Sequence, residues 1–146
     1  MSISAAEITK GLQELGLKKG DVVLFHSDLR SVGPARELAK LPNCGADIAI
    51  DGVLDAIGPE GLAVAPTLTA TFADGKGPNK YAFDPATTPS RVGSITEVFR
   101  QRPGTVRSNH PTHSLTALGA RAAEFAYQPA DGSTFDIRGP YRKTYE

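Results

Sequence analysis

The stretch GDVVLFHSDLRSVG (20–33) decides the fold of this chain, because it joins a short apolar run to a polar loop. A turn at Gly20 precedes the run Val22–Phe25, which is continuous, β-branched and bounded by turn residues. A run of this kind is typical of a strand that is buried on both faces. The polar loop His26–Gly33 begins at the carboxyl end of that predicted strand, which is where α/β sheets bind ligands.

Amphipathic segments surround this strand. Residues 4–15 predict a helix, because Ser4 and Glu7 have the spacing of a capping box and apolar residues recur at helical intervals up to Gly16. Gly16 is a suitable stop for that helix. Further helices are expected over about 47–57, over 91–101, and over about seven residues that begin after Gly119.

Two more apolar runs have the character of buried strands, namely Leu62–Ala65 and Leu115–Leu118. Helices and strands therefore alternate, and this order predicts an α/β fold with a mainly parallel or mixed sheet and helices on both faces. Each strand has a polar segment beside it, so we expect a site where these segments meet. The segments are 26–33, 67–72 and 102–114.

The composition is that of a globular protein, with 146 residues, of which 40% are hydrophobic and 22% charged. Sixteen basic residues balance sixteen acidic ones, so no electrostatic footprint for nucleic acid or an anionic membrane surface is present. No segment approaches the roughly 20 apolar residues that span a bilayer. The single Cys44 cannot form an internal disulfide, which suits a reducing compartment. We expect a cytoplasmic protein without nucleic-acid or membrane partners.

The loop HSDLRSVG (26–33) has two interpretations. Its backbone amides, with Ser27 and Ser31 as donors and Arg30 as a cation, are suited to hold a phosphate or a pantetheine amide. Alternatively, Ser27 or Asp28 simply caps a turn on the surface. The loop contains neither a G-x-G-x-x-G pattern nor a Walker lysine, so it carries no nucleotide-binding fingerprint.

The segment RSNHPTHS (107–114) also has two interpretations. His110 and His113 are suited to general acid–base chemistry near neutral pH. Equally, they bond to backbone groups and order a Pro-containing loop. A zinc site needs further nitrogen or sulfur ligands, and only His26 and Cys44 remain in the chain, without the required spacing. No metal is predicted.

Residue types alone do not decide the role of several other polar positions. Thr67, Thr69 and Thr71 alternate in TLTATF (67–72) and line either a polar cleft or a solvated strand face. A serine hydrolase is disfavoured, because the G-x-S-x-G elbow is missing. Cys44 lies in a Pro/Asn/Gly turn without a neighbouring base, which favours a free thiol over a nucleophile.

Four segments in succession resemble the aminoglycoside 3-N-acetyltransferase family, whose members are also called antibiotic N-acetyltransferases. They are LGLKKGDVVLFHSDLRSVG (15–33), GADIAIDGVLDAIGPEGLAVAPTLTATF (45–72), FDPATTPSRVGSITEVFRQRPGTVRSNHPTHSLTALGARAAE (83–124) and GPYRKTYE (139–146). The resemblance covers nearly the whole chain. It implies an α/β fold, acetyl-coenzyme A as acyl donor, and the 3-amino group of an aminoglycoside antibiotic as acceptor, and hence antibiotic resistance.

The resemblance also implies roles for individual residues. In the family, the loop that matches 26–33 lines the coenzyme channel, and the segment that matches 107–114 lies near the reacting centre. It therefore implies coenzyme contacts for Ser27, Leu29, Arg30, Ser31, Val32 and Ser108. His110 and His113 are implied as the catalytic, active-site histidines. Asp28 departs from the family's HSS pattern and places a carboxylate beside a site for an anionic coenzyme.

Members of this family are nearly twice as long as this chain. The resemblance implies that residues 1–127 form the amino-terminal α/β part of an acetyltransferase domain, incomplete relative to the family fold. Residues 128–146 are expected to be an irregular tail that leads to a missing carboxyl-terminal half. Two functions remain open: an aminoglycoside acetyltransferase, with little activity expected of 1–146 alone, or a non-catalytic remnant that binds coenzyme A or a partner. An exposed sheet edge predicts self-association.

Overall fold

The computed structural model of the chain describes residues 3–69, 82–127 and 135–145. The α-helices in these ranges are α1 (Ala5–Glu14), α2 (Ala35–Leu38), α3 (Ala46–Ile57), α4 (Ser94–Arg100), α5 (Ala122–Ala126) and α6 (Pro140–Lys143). The strands are β1 (Val22–Leu24), β2 (Leu62–Pro66), β3 (Val106–Arg107) and β4 (Leu115–Gly119). Two 3-10 turns cover Leu29–Ser31 and Pro42–Gly45.

The first helix confirms the predicted capping box. The Ser4 hydroxyl accepts a hydrogen bond from the Glu7 backbone N–H, and the Glu7 carboxylate accepts one from the Ser4 N–H in return. The helix expected over 47–57 is confirmed as α3. The helix expected over 91–101 is shorter, because Gly93 has a φ of +125° and α4 begins only at Ser94.

The sheet is mixed, with the strand order β1-β2-β4-β3. β1 and β2 are parallel, and Val22 lies opposite Leu62. β4 is antiparallel to both of its neighbours, β2 and β3. The three apolar runs are confirmed as strands. β3 was not predicted, because two strand residues in a turn-rich segment leave no detectable pattern.

Residues of β2 alternate between two hydrophobic layers, and this alternation confirms helices on both faces of the sheet. Ala63 and Ala65 pack with α3 and α4. Leu62 and Val64 pack with α5 and with residues of β4. Phe25, which precedes the polar loop, packs edge-on against Phe99 of α4, with ring centroids 5.4 Å apart. The start of the loop is therefore anchored in the core.

The carboxyl-terminal part differs from the expectation. Gly119 does not start a helix: it ends β4 with a φ of +120°, where a Cβ atom would lie 2.3 Å from the Gly61 carbonyl oxygen. The last predicted helix is α5, with five residues. The tail contains a short helix, α6, and Lys143 donates from Nζ to the Glu124 carbonyl oxygen at 2.6 Å. The proposed boundary after residue 127 stays a prediction.

The outer strands of this sheet are β1 and β3. Val22 of β1 is 44% exposed. Self-association through an exposed edge stays a prediction. None of the described helices combines the length and the apolar character needed to cross a bilayer.

Candidate functional site

Three polar segments meet at one edge of the sheet, which we call the loop edge. β1, β2 and β3 run in the same direction, so the segments 26–33, 67–69 and 108–114 all follow carboxyl ends of strands at this edge. β4 runs the opposite way and begins there, with Leu115 opposite Pro66. The clustering predicted for 26–33, 67–72 and 102–114 is confirmed for these described parts, whereas residues 102–105 precede β3 and do not follow its carboxyl end. Thr71 lies outside the described residues.

A cavity of about 630 Å³ opens beside β1 at the loop edge. Its volume falls within the roughly 300–1,000 Å³ that is typical of small-molecule sites. The lining residues come from the first loop, from the end of α2 and the segment that follows it, and from the start of α4 with the two residues before it. They are Ser27, Asp28, Leu29, Arg30, Leu38, Ala39, Cys44, Val92, Gly93, Ser94 and Ile95. A second cavity of about 110 Å³ shares Ser27 and Val92 with it and extends to Pro66 at the end of β2 and to Leu68 beyond it.

Asp28 and Arg30 form a local unit at the mouth of the larger cavity. Asp28 Oδ1 accepts hydrogen bonds from the Arg30 backbone N–H at 3.0 Å and from Arg30 Nε at 3.1 Å, and Oδ2 accepts one from Nη2 at 3.0 Å. These side-chain and backbone hydrogen bonds hold the pKa of Asp28 below its ordinary value. The turn-capping interpretation therefore applies to Asp28. The nearby guanidinium also offsets the carboxylate that departs from the family pattern.

The six residues implied as coenzyme contacts are divided by the structure. Ser27, Leu29 and Arg30 line the cavity. The described cavity lining does not include the remaining three, Ser31, Val32 and Ser108. Ser31 is exposed, and Val32 packs against the core. Ser108 is 1% exposed, and its hydroxyl accepts a hydrogen bond from the Leu115 N–H at 2.9 Å.

His110 orders its own loop, as the structural interpretation predicts. Its Nδ1 accepts hydrogen bonds from the backbone N–H groups of His113, at 3.0 Å, and Thr112, at 3.3 Å. A neutral imidazole in this arrangement carries its proton on Nε2. Burial, together with the neighbouring His113, lowers the pKa of His110. The ring is therefore held in the neutral form at physiological pH.

His113 is more exposed than His110 and has different neighbours. Its Nδ1 lies 2.8 Å from the Thr112 hydroxyl, and its ring centroid lies 6.2 Å from that of Phe135. The rings of the two histidines are 5.9 Å apart. The described residues around the 630 Å³ cavity include neither histidine. Both histidines thus share the loop edge with the cavity without forming its wall.

In the threonine segment after β2, Thr67 is buried and Thr69 is half-buried, whereas the sequence predicted a polar cleft or a solvated strand face. Thr67 is fully buried, and its hydroxyl lies 3.0 Å from that of Thr116. Ser114 Oγ donates to the Thr67 carbonyl oxygen at 2.8 Å, and the Thr67 N–H donates to the Ser114 carbonyl oxygen at 2.9 Å. Thr69 donates from its N–H to the Thr112 carbonyl oxygen at 2.9 Å. These bonds extend the β2–β4 pairing into the histidine loop.

Two parts of the cavity wall were not predicted from the sequence. Val92 and Ile95 come from a segment that was assigned only to a helix, and Leu38 comes from one to which no element was assigned. Their residue types are those of ordinary core positions, so no sequence signal marks them as lining a site. Cys44 is a free thiol in the lining, with a φ of +52°. Across the described ranges, no group of three or more His, Cys, Asp or Glu side chains is placed to hold a metal ion.

A mixed α/β sheet whose polar loops share one edge with a 630 Å³ cavity is the arrangement typical of a small-molecule-binding domain. The model of the aminoglycoside 3-N-acetyltransferase family matches residues 24–146, and the chain belongs to this family. It is 35% identical over 129 residues to the SPbeta prophage-derived aminoglycoside N(3')-acetyltransferase-like protein YokD of Bacillus subtilis. That match covers 77% of this chain and 45% of the relative.

Solved structures show the same relationship. AAC-VIa bound to sisomicin superimposes with a TM-score of 0.78 at 29% identity, covering 98% of this chain and 56% of that one. AAC-IIIb in a binary complex with CoASH superimposes with a TM-score of 0.76 at 29% identity, covering 97% of this chain and 55% of that one. The chain spans about half the length of the curated relatives it matches. The predicted family and fold class are confirmed.

Proposed function

We propose that the chain supplies the coenzyme-binding part of an acetyl-coenzyme A-dependent N-acetyltransferase that acts on the 3-amino group of aminoglycosides and gives antibiotic resistance. The observation that carries this proposal is the 630 Å³ cavity at the carboxyl end of β1, which is lined by the loop that resembles the family's coenzyme channel. The solved relatives that hold CoASH and sisomicin support the two ligand classes.

The lining chemistry fits the parts of the coenzyme. Leu29, Val92 and Ile95 form apolar surface for the alkyl groups of pantetheine, and the Ser27 hydroxyl is a donor for its amides. Arg30 is the cation of the lining, and it is suited to pair with a phosphate. Because Arg30 already binds Asp28, a phosphate there would share the guanidinium with a carboxylate. Bound acetyl-coenzyme A would supply the acetyl group as a thioester.

Acetyl transfer to an amine requires a base and a donor for the developing oxyanion. An aminoglycoside amine is largely protonated at neutral pH and attacks only after losing a proton. His110 accepts amide hydrogen bonds at Nδ1, so the neutral ring carries its proton on Nε2 and has no lone pair there to act as a base. We therefore assign the role of base to His113 in preference to His110.

Two observations favour a second function, namely coenzyme A binding with little acetyl transfer. The chain spans about half the length of its curated relatives, and neither histidine is found in the described lining of the cavity. Both observations favour a protein that binds coenzyme A but transfers acetyl groups weakly when residues 1–146 act alone. Removal of a positioned base typically slows a reaction about 10²–10⁴-fold.

Calorimetric titration with coenzyme A and acetyl-coenzyme A tests the proposal directly. Val92→Trp places an indole in the wall shared by both cavities and should weaken coenzyme binding at least tenfold. Val22→Trp is the matched control, since Val22 is similarly exposed, at 44% against 39% for Val92, but lies away from the cavity. Equal affinities of both variants and the unmodified chain, or no binding at all, would reject this site.

Coenzyme A release with gentamicin as acceptor then separates the two functions. Turnover by residues 1–146 that is lost in His113→Ala supports the enzyme. Coenzyme binding without turnover supports the second function.

A further inference from the structure

Arg107 connects three segments of the loop edge through its guanidinium group. Nε donates to the Ser114 hydroxyl at 3.0 Å, and Nη2 donates to the Thr67 carbonyl oxygen at 2.6 Å. Nη1 donates to the carbonyl oxygens of Thr88 and Pro85. One side chain thus bridges the end of β2, the start of β4 and a segment that precedes α4.

The acceptors of Arg107 are uncharged. No carboxylate of the described residues forms an ion pair with it, although Asp84 and Glu97 lie near enough to raise its pKa. Burial, with the neighbouring Arg100, outweighs them and lowers the pKa of Arg107 to about 10, so the group stays charged at neutral pH. The guanidinium carbon also lies 5.1 Å from the centroid of the Phe83 ring.

The segment 83–91 that Arg107 holds leads directly into the cavity wall Val92–Ile95. Its far end is fixed to the sheet by the Arg91 N–H, which donates to the Leu68 carbonyl oxygen at 2.8 Å. Arg100 of α4 donates from Nη1 to the Ala86 carbonyl oxygen at 3.0 Å. The wall therefore continues from a segment that the Arg91 backbone bond holds at one end and that Arg107 joins to the ends of β2 and β4 along its length.

We infer that Arg107 is a positioning residue for the coenzyme cavity: it fastens segment 83–91 to the ends of β2 and β4 and so sets the position of wall Val92–Ile95 without touching the ligand. This inference rests on the proposed function, because it takes coenzyme A as the ligand of the cavity. A lysine cannot replace the arginine here, because a single ammonium group cannot direct donors to Ser114, Thr67 and Thr88 at once.

Three variants test the inference. Arg107→Met removes the donors and the charge, whereas Arg107→Lys keeps the charge but loses the planar set of donors. Arg102→Met is the matched control, because Arg102 is also partly buried but binds Asp47 and Asp51 of α3. Calorimetry measures the affinity for coenzyme A, urea unfolding gives the folded fraction, and amide hydrogen exchange reports on residues 83–91.

Both Arg107 variants should bind coenzyme A about 3- to 30-fold more weakly per folded molecule, and both should exchange faster in segment 83–91. Arg102→Met should lose stability but keep its affinity and its exchange in this segment. Wild-type affinity in folded Arg107→Met would overturn the inference. Full recovery in Arg107→Lys would do so too, because the charge alone would then account for the effect.

The inference stays testable if Arg107→Met does not fold or if the unmodified chain does not bind coenzyme A. If Arg107→Met does not fold, Phe83→Leu removes the ring beneath the guanidinium, and it should loosen the same segment to a smaller degree. If the unmodified chain does not bind coenzyme A, the proposed function fails but the exchange measurement still decides the positioning role. Unchanged exchange of 83–91 in the Arg107 variants would then overturn the inference.

Discussion

The two segments that looked functional in the sequence, 26–33 and 107–114, lie at the same edge of the sheet, but their hydrogen bonds differ in reach. In the first loop the hydrogen bonds are local, such as those from the N–H groups of Ser31 and Val32 to carbonyl oxygens three residues earlier. In the second, bonds reach across the fold, and Ser114 Oγ donates to the Thr67 carbonyl oxygen 47 residues away in sequence.

This difference decides which loop presents its polar groups to a ligand. The first loop forms its backbone hydrogen bonds within one turn. Ser27, Leu29 and Arg30 therefore lie in the lining of the cavity. The second uses much of its hydrogen-bonding capacity to join β2 to β4, and His110 Nδ1 accepts from the loop's own backbone. Polar residues near a strand end are therefore not equally available for binding.

The largest expected effect is a loss of stability, and it should be greater for a substitution next to the second loop than for one in the first loop. Thr67→Val keeps the shape of the side chain but removes a buried hydroxyl that bonds to Thr116 and Ser114. The buried Thr116 hydroxyl loses this partner, and the Ser114 carbonyl oxygen keeps only the bond from the Thr67 N–H, so the free energy of unfolding should fall by about 1–3 kcal/mol. Ser31→Ala in the first loop is the comparison, and its exposed side chain should change stability by less than about 0.5 kcal/mol. Urea unfolding measures both, and equal losses would contradict the difference described here.

The next effect is a loss of coenzyme A affinity, which is expected for a substitution in the first loop. Arg30→Glu replaces a cation of the cavity lining with a carboxylate beside Asp28, so the affinity for coenzyme A should fall about tenfold at low salt. Because Arg30 is exposed, the effect should shrink as the ionic strength rises. Titration calorimetry at two salt concentrations measures it.

A matched control exists in the chain. Arg138 binds Asp136 through the same pattern of backbone N–H, Nε and Nη2 donors that joins Arg30 to Asp28. Arg138 does not belong to the described cavity lining, so Arg138→Glu should leave coenzyme affinity unchanged. Full affinity in Arg30→Glu would refute the phosphate contact.

The smallest expected effect concerns pH. The pKa of His110 is lowered in the folded protein, so its contribution to stability is complete above the unfolded value of about 6.5 and is lost as the pH falls through the folded value. His110→Asn offers an amide oxygen to the same N–H groups but does not titrate. Urea unfolding between pH 5 and 7.5 should therefore show a smaller loss on acidification in this variant. An unchanged pH dependence would exclude His110 as its source.

Local signals were sufficient for much of the fold. The capping box of Ser4 and Glu7, the three apolar runs and the α3 segment were all predicted, because each depends on neighbours within a few residues. β3 and the exact start of α4 were not predicted. A two-residue strand has no pattern of its own, and α4 begins where the φ of Gly93 allows.

The sequence by itself determined that this is an α/β chain with the family's motifs and with polar segments at the strand ends. Those properties follow from hydrophobic periodicity and turn chemistry, which act over short distances. Only the tertiary structure decided that the direction of β4 is reversed, that Val92–Ile95 faces Ser27–Arg30 across a cavity, and that Arg107 binds Thr67 and Ser114. These relations join residues far apart in sequence through packing and hydrogen bonds that residue types alone do not specify.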